Sequence, residues 1–157
     1  MENQTHKTKI HALATLSFIS IVLTVIMASI HHVPTFGHLA IVIGIAAILM
    51  LFIIRAVFQY TRNAVILMIY GLFNVAIIVG AGLIDGFLNH TFKLFIYHLH
   101  GGYIPPLLAH IFQNTTIGTP WYETTGILTF VASMFAAYFT YLFFMARHDD
   151  NLNYDGN

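Results

Sequence analysis

The sequence predicts an all-α integral membrane protein, built as a four-helix transmembrane bundle with both termini in the cytoplasm. Composition is the first reason, since 58% of the 157 residues are hydrophobic and only 8% are charged. Soluble domains carry about 25% charged residues. A chain so poor in charge cannot cover a surface that faces water, so its solvent must be the bilayer. The other two reasons are the length of its apolar runs and the side on which its cations lie.

Four apolar runs reach the length of about 20 residues that a membrane-spanning helix needs. None of these runs contains Lys, Arg, Asp or Glu. The first two connections are short, so neighbouring spans should form antiparallel hairpins, whereas the third connection is long. We therefore predict a single transmembrane domain over residues 1–157, with spans at about 10–30, 36–54, 64–84 and 126–145 and an outer loop at 85–125.

Lysine and arginine are distributed unevenly between the two sides of these spans. Only Lys93 falls on the side of the long loop, and the other cations fall on the opposite side: Lys7, Lys9, Arg55, Arg62 and Arg147. The cytoplasmic flanks of membrane helices are enriched in Lys and Arg. Both termini are therefore predicted to be cytoplasmic, in the bacterial inner membrane or an equivalent one.

The long outer loop is predicted to fold as an amphipathic helical hairpin over residues 87–113. Its first half has an apolar face at helical spacing, made of Phe92, Phe95, Ile96 and Leu99. Gly101 suits the left-handed position that follows a helix. Pro105 and Pro106 suit the first turn of a second short helix, PLLAHIFQ. We expect this hairpin to rest on the membrane or over the outer mouth of the bundle.

Histidine is the unusual residue of this chain, with ten copies, seven of them on the predicted outer side. Small and polar residues recur at steps of three and four along the first, third and fourth spans, which predicts the faces that point into the bundle. Each of these stripes ends on the outer side in a residue that can bind a metal or a proton: His31, Asp85 and Glu123. Two carboxylates that lie close together repel each other, so a cation or a proton between them is expected.

The outer histidines are the expected partners of these two acids. We predict a metal-binding cluster that draws on the following candidates: His31, Asp85, His90, His98, His100, His110 and Glu123. The chain has no cysteine, and imidazole with carboxylate but no thiolate suits Zn, Fe, Cu or Mn. No compact zinc or di-iron motif occurs, and the sequence identifies no catalytic residue.

Three functions remain open on this sequence. The first is a metal-dependent membrane enzyme or a metal-handling protein with its cluster at the non-cytoplasmic end. The second is an accessory or structural subunit of a larger membrane complex, whose histidines would be interface residues. The third is a haem or quinone anchor. It is disfavoured because haem needs two histidines on facing helices, and no histidine lies in the middle of a span.

The bilayer is the expected partner of this chain, and other membrane subunits or a second copy are further candidates. Its formal net charge is zero, with six basic and six acidic residues. A chain without excess positive charge creates no field that would attract nucleic acid, so nucleic acid is not an expected partner.

Overall fold

The computed structural model describes the backbone of residues 2–61 and 63–155 and the side chains of residues 8–58 and 63–148. Over this part of the chain it is helical, without a strand. The predicted all-α fold class is thereby confirmed. Two of the cations that predict the orientation, the side chain of Lys7 and the whole of Arg62, lie outside the described residues.

Four of the helices are long and apolar enough to cross a membrane. Helix α1 covers Glu2–Phe36 and α2 covers His38–Thr61, with Gly37 between them at a φ of 57°. Helix α3 runs over Ala64–Leu99. A short helix α4 and a long helix α5 follow, at Pro106–Ala109 and Pro120–Asp155.

Helix α3 is longer than the sequence predicts and is composed of three parts. Its first part, Ala64–Ile77, is α-helical, its middle part, Ile78–Phe92, is a π-helix, and its last part, Lys93–Leu99, is α-helical again. The boundary expected at residue 84 therefore lies inside one continuous helix, which runs through Gly86 and Asn89 to Leu99. Likewise α5 begins at Pro120, six residues before the expected start of the last span. The non-helical connection is thus much shorter than residues 85–125.

The two long terminal helices form the centre of the bundle. Helix α1 packs along α5, the π-helical part of α3 packs on α5 from another side, and α2 packs mainly on α1. The most deeply buried hydrophobic side chains of this core are Ile21, Leu51, Ala136 and Phe143. The backbones of α3 and α5 approach each other closely at Gly86, where a Cβ would lie 2.7 Å from the backbone nitrogen of Phe130. Close backbone contact through small residues is typical of membrane helices.

The end of α3 has the geometry that the sequence predicts. Gly101 and Gly102 have φ angles of 70° and 100°. The N–H of Gly102 donates to the carbonyl of Tyr97 at 2.9 Å, and the N–H of Gly101 donates to the carbonyl of His98 at 3.2 Å. These two bonds form the Schellman motif, which satisfies carbonyls that the helix end leaves free.

The rest of the predicted hairpin differs from expectation. The second helix has four residues and ends at Ala109, because the N–H of Gln113 donates to the side chain of Asn89 at 2.9 Å instead of continuing the helix. Of the expected apolar face, Ile96 is buried while Phe95 and Leu99 are exposed. This segment therefore continues the third long helix rather than lying as a separate roof on the bundle.

Replacing Gly101 by alanine is expected to lower the free energy of unfolding by about 1–2 kcal/mol, since a side chain disfavours a left-handed backbone. A Cβ at this position would meet no atom within 4 Å. The expected loss of stability therefore comes from backbone strain and not from a steric clash. The control is Gly80→Ala, where a Cβ is equally free but the backbone is helical. We expect this control to be neutral or stabilising in reversible unfolding in detergent. Equal effects of the two changes would contradict the proposed cause.

Candidate metal centre

The π-helical part of α3 brings Asp85 and His90 to one side of that helix. Backbone hydrogen bonds in this part join residues five apart, as between the N–H of Lys93 and the carbonyl of Leu88. Residues five apart on an α-helix point about 140° away from each other, at 3.6 residues per turn. In a π-helix, which closes its hydrogen bonds between residues i and i+5, they lie much closer to one face. The side chains of Asp85 and His90 can therefore point toward the same site.

His31 of α1 meets these two residues and completes a group that we call the His–Asp cluster: His31, Asp85 and His90. One ligand atom from each residue lies within 4.8 Å of the others. The carboxylate of Asp85 faces Nε2 of both imidazoles. Its Oδ2 is 3.7 Å from Nε2 of His31, and its Oδ1 is 3.8 Å from Nε2 of His90. All three side chains are buried, with exposed fractions of 0%, 7% and 1%.

Hydrogen bonds on the far side of each ring fix which nitrogen faces the cluster. Nδ1 of His90 lies 2.7 Å from Oε2 of Glu123, so its N–H donates to the carboxylate. Nδ1 of His31 lies 3.0 Å from the hydroxyl of Thr125. That hydroxyl gives its own hydrogen to a backbone carbonyl one turn back, so it accepts from the imidazole. In the neutral form of both rings, Nε2 then carries a lone pair that points toward Asp85.

Three buried atoms converge in the cluster, and one of them, Oδ2 of Asp85, also lies 3.1 Å from Nε2 of His32. Nε2 of His31, Nε2 of His90 and Oδ2 of Asp85 are buried, and none has a hydrogen bond among the described residues. Buried polar atoms are nearly always satisfied, and an unsatisfied one costs about 1–3 kcal/mol. Three neighbouring orphan acceptors are satisfied together by a cation. The arrangement can therefore hold a metal ion.

Glu123 lies outside the cluster and holds His90 in place. Its Oε1 accepts from the backbone N–H of Gly118 at 2.6 Å and lies 3.6 Å from the ammonium of Lys93. Lys93 is itself 2% exposed and donates to the carbonyl of Thr116 at 3.0 Å. The carboxylate is thus tied to Lys93 and to the connecting segment. A carboxylate that orients a ligating histidine from behind is the common arrangement around protein metals.

Packing also fixes the orientation of both imidazoles. The ring of Tyr122 stacks on His31, with centroids 4.2 Å apart, and meets the ring of His90 edge-on. The two imidazoles lie 4.4 Å apart in a T-shaped contact. Gly126 leaves room for His90, since a Cβ at that position would meet the imidazole ring. A porphyrin does not fit between two rings in direct contact, so this pair is not arranged for haem.

Sequence reasoning missed two residues of this neighbourhood. Nε2 of His32 lies 3.1 Å from Oδ2 of Asp85, and the side chain of His32 is 31% exposed. Lys93 entered the sequence argument only as a charge for orientation. Nothing in helical periodicity pointed to His32, because the stripe on α1 passes through His31. The burial of Lys93 depends on the fold of the segment after α4, which no periodic pattern describes.

The other three candidate ligands lie elsewhere. His98 and His100 donate through Nδ1 to backbone carbonyls of their own helix, those of Leu94 at 2.8 Å and Ile96 at 3.0 Å. His110 is exposed. Among the described side chains, only the His–Asp cluster has metal-site spacing. The structure therefore does not bring these three histidines to the acids as the sequence argument expects.

Comparison of the chain with protein-family models, with curated proteins and with solved structures finds no match. The case for a function therefore rests on the geometry of this cluster and on the apolar helices that surround it.

Proposed function

We propose that this chain is an integral membrane protein that binds one divalent transition metal through His31, Asp85 and His90. The observation that carries the proposal is the set of three buried acceptor atoms without partners, contributed by two different helices. In hydrocarbon surroundings such atoms are costlier still, because no water can reach them. One bound cation would remove the free-energy cost of leaving these three atoms unsatisfied.

The ligand set indicates which metals suit the site. Two imidazoles and one carboxylate are the donors of many catalytic zinc and non-haem iron sites, and copper and manganese accept the same donor types. Three protein ligands leave at least one coordination position for water or a substrate. Structural zinc sites, by contrast, use four protein ligands. The proposed site therefore suits a metal-dependent enzyme or a metal-handling protein better than a purely structural role.

Residues behind the ligands support the same proposal. Glu123 and Thr125 accept from the outer nitrogens of the two imidazoles, which leaves the inner nitrogens free for a metal. Such supporting residues fix the ring orientation and raise the basicity of the ligand. An accessory subunit without a metal would have no evident need for two imidazoles held in this tautomer.

Metal titration of chelator-treated protein tests the proposal. We expect His31→Ala and His90→Ala each to weaken binding of Zn²⁺ or Mn²⁺ by more than the about 10–100-fold typical of losing a supporting residue. His98→Ala and His100→Ala are matched controls and should bind as the wild type does, since their rings bond to their own helix. If all four variants titrate alike, the cluster is not a metal site and the accessory-subunit function is favoured.

The proposed orientation puts the cluster on the non-cytoplasmic side, with both termini in the cytoplasm. It rests on the excess of Lys and Arg on the opposite side of the spans. The chain has no cysteine, so a maleimide can label only the cysteine that is introduced. We expect an impermeant maleimide to label Thr115→Cys in intact cells and Asn153→Cys only after lysis. The reverse pattern would invert the orientation.

A further inference from the structure

The surroundings of the His–Asp cluster are closed on one side and open on another. Lys93 and Glu123 are buried on the side of the connecting segment, with exposed fractions of 2% and 4%. That segment is hydrogen-bonded to both of them, through Thr116 and Gly118. His32, by contrast, is 31% exposed while it touches Asp85. A molecule that reaches the cluster therefore has its open approach past His32.

His32 faces an apolar cavity between α1, α2 and α3. The cavity has a volume of about 320 Å³. Its wall includes four alanines, two of them on α2, and an aromatic and an aliphatic side chain near its outer end: Ala28, Ala40, Ala47, Ala81, Phe36 and Leu39. His32 is its only ionisable lining residue. Phe36 and Leu39 are each 57% exposed, so the cavity is open at the end where α1 and α2 meet.

We propose that this cavity binds the hydrocarbon chain of a fatty acid, with the carboxylate directed past His32 to the metal of the His–Asp cluster. This inference rests on the proposed metal site, and it gives that site a substrate class drawn from the bilayer. The cavity walls are hydrocarbon, which matches an alkyl chain. The single imidazole stands at the end nearest Asp85, where a headgroup has to lie.

Volume and charge favour a fatty acid over other lipids. Sites for small ligands range from about 300 to 1,000 Å³, so this cavity lies at the small end of that range and suits one chain rather than the two of a phospholipid. A divalent metal with one carboxylate and neutral imidazoles keeps a net charge of about +1. An anionic headgroup is attracted to such a centre, whereas an ester of the same chain is not.

Spin-labelled lipids provide the test on the full chain in detergent micelles or lipid nanodiscs. We expect stearate labelled near its carboxylate to show one immobilised population per chain in its electron paramagnetic resonance spectrum. Ala47→Leu should weaken this binding about tenfold by filling the cavity. Ala46→Leu is the matched control, because Ala46 is the exposed neighbour on the same helix and does not line the cavity.

A second variant and two lipid controls complete the design. Ala81→Leu, on α3 rather than α2, should reproduce the loss, which guards against a folding defect of one variant. The methyl ester of the labelled stearate and a labelled phosphatidylcholine should not be immobilised. If phosphatidylcholine is immobilised as strongly as stearate, or if Ala47→Leu and Ala46→Leu behave alike, the cavity holds ordinary surrounding lipid and the inference is overturned.

Mn²⁺ separates this inference from the proposed function. When Mn²⁺ is bound, a label near the carboxylate should be broadened more strongly than a label near the methyl end. If the protein binds Mn²⁺ without that difference, the fatty-acid inference fails while the metal site stands. If the protein binds no metal, the proposed function fails, and the inferred route to a metal fails with it.

Discussion

Glu123→Ala is expected to lower the free energy of unfolding by about 3–5 kcal/mol, the usual cost of leaving a buried charge without its partner. The carboxylate lies 3.6 Å from the ammonium of Lys93, 2.7 Å from Nδ1 of His90 and 2.6 Å from the N–H of Gly118. Removing it leaves the donors of His90 and Gly118 without this acceptor and takes the counter-charge from Lys93, which keeps only its bonds to neutral oxygens. Reversible unfolding in detergent measures the effect, and Thr124→Ala, an exposed neighbour on α5, is the matched control with an expected change near zero.

A double-variant cycle assigns this cost to the ion pair. Lys93→Met removes the ammonium that faces Glu123. The double variant Lys93→Met/Glu123→Ala should therefore lose less free energy of unfolding than the sum of the losses of the two single variants. Additive losses would show that Lys93 and Glu123 do not depend on each other. A loss for Glu123→Ala no larger than that for Thr124→Ala would contradict the buried, charged carboxylate described above.

Asp85→Ala is expected to abolish stabilisation of the protein by metal. A metal that binds only the folded state stabilises it by RT ln(1 + [L]/Kd), about 4 kcal/mol at a thousandfold excess over Kd. Thermal unfolding with and without Zn²⁺ should therefore show a large shift for the wild type and none for Asp85→Ala. His98→Ala, whose ring bonds to its own helix, is the control and should keep the shift.

The same substitution should have a much smaller effect on the stability of the metal-free protein. The carboxylate of Asp85 faces three imidazoles at 3.1, 3.7 and 3.8 Å, whereas that of Glu123 binds a backbone N–H and lies beside an ammonium, so removing Asp85 breaks weaker contacts. Metal-free Asp85→Ala should therefore be destabilised far less than Glu123→Ala. If the two losses are equal, Asp85 is held by its imidazole neighbours as a structural network, and a bound metal is not needed to explain it.

Helical periodicity predicted much of the bundle interior. The stripe on α1 pointed to His31 and the stripe on α5 pointed to Glu123, and both side chains are buried. This worked because both helices are α-helical over those residues. A period of 3.6 residues then lines up the positions that face the neighbouring helices.

The pairing of Asp85 with His90 was beyond this kind of reasoning. On an α-helix these two side chains diverge, and only the π-helical part of α3 turns them together. The close approach of Gly86 to α5 falls within this π-helical part. Apolar periodicity does not reveal a π-helix. His90 could therefore be predicted as a candidate ligand, but not as a neighbour of Asp85.

The expectation for His98, His100 and His110 failed for a different reason. Their position on the outer side suggested proximity to the acids, yet sharing a side of the membrane does not determine distance. Helix α3 continues to Leu99, which carries the first two of these histidines along the helix beyond the cluster. Their Nδ1 atoms then bond locally to helix carbonyls, a partner that is available to any histidine near a helix end.

Metal content of the protein purified without a histidine tag tests the central claim most directly. Elemental analysis of the wild type should find about one divalent transition metal per chain, as expected for the single cluster of two imidazoles and one carboxylate. Asp85→Ala, prepared in parallel from the same growth medium, should contain none. A metal-free wild type from metal-replete cells, or equal metal in both proteins, would contradict the assignment of His31, Asp85 and His90 as a metal site.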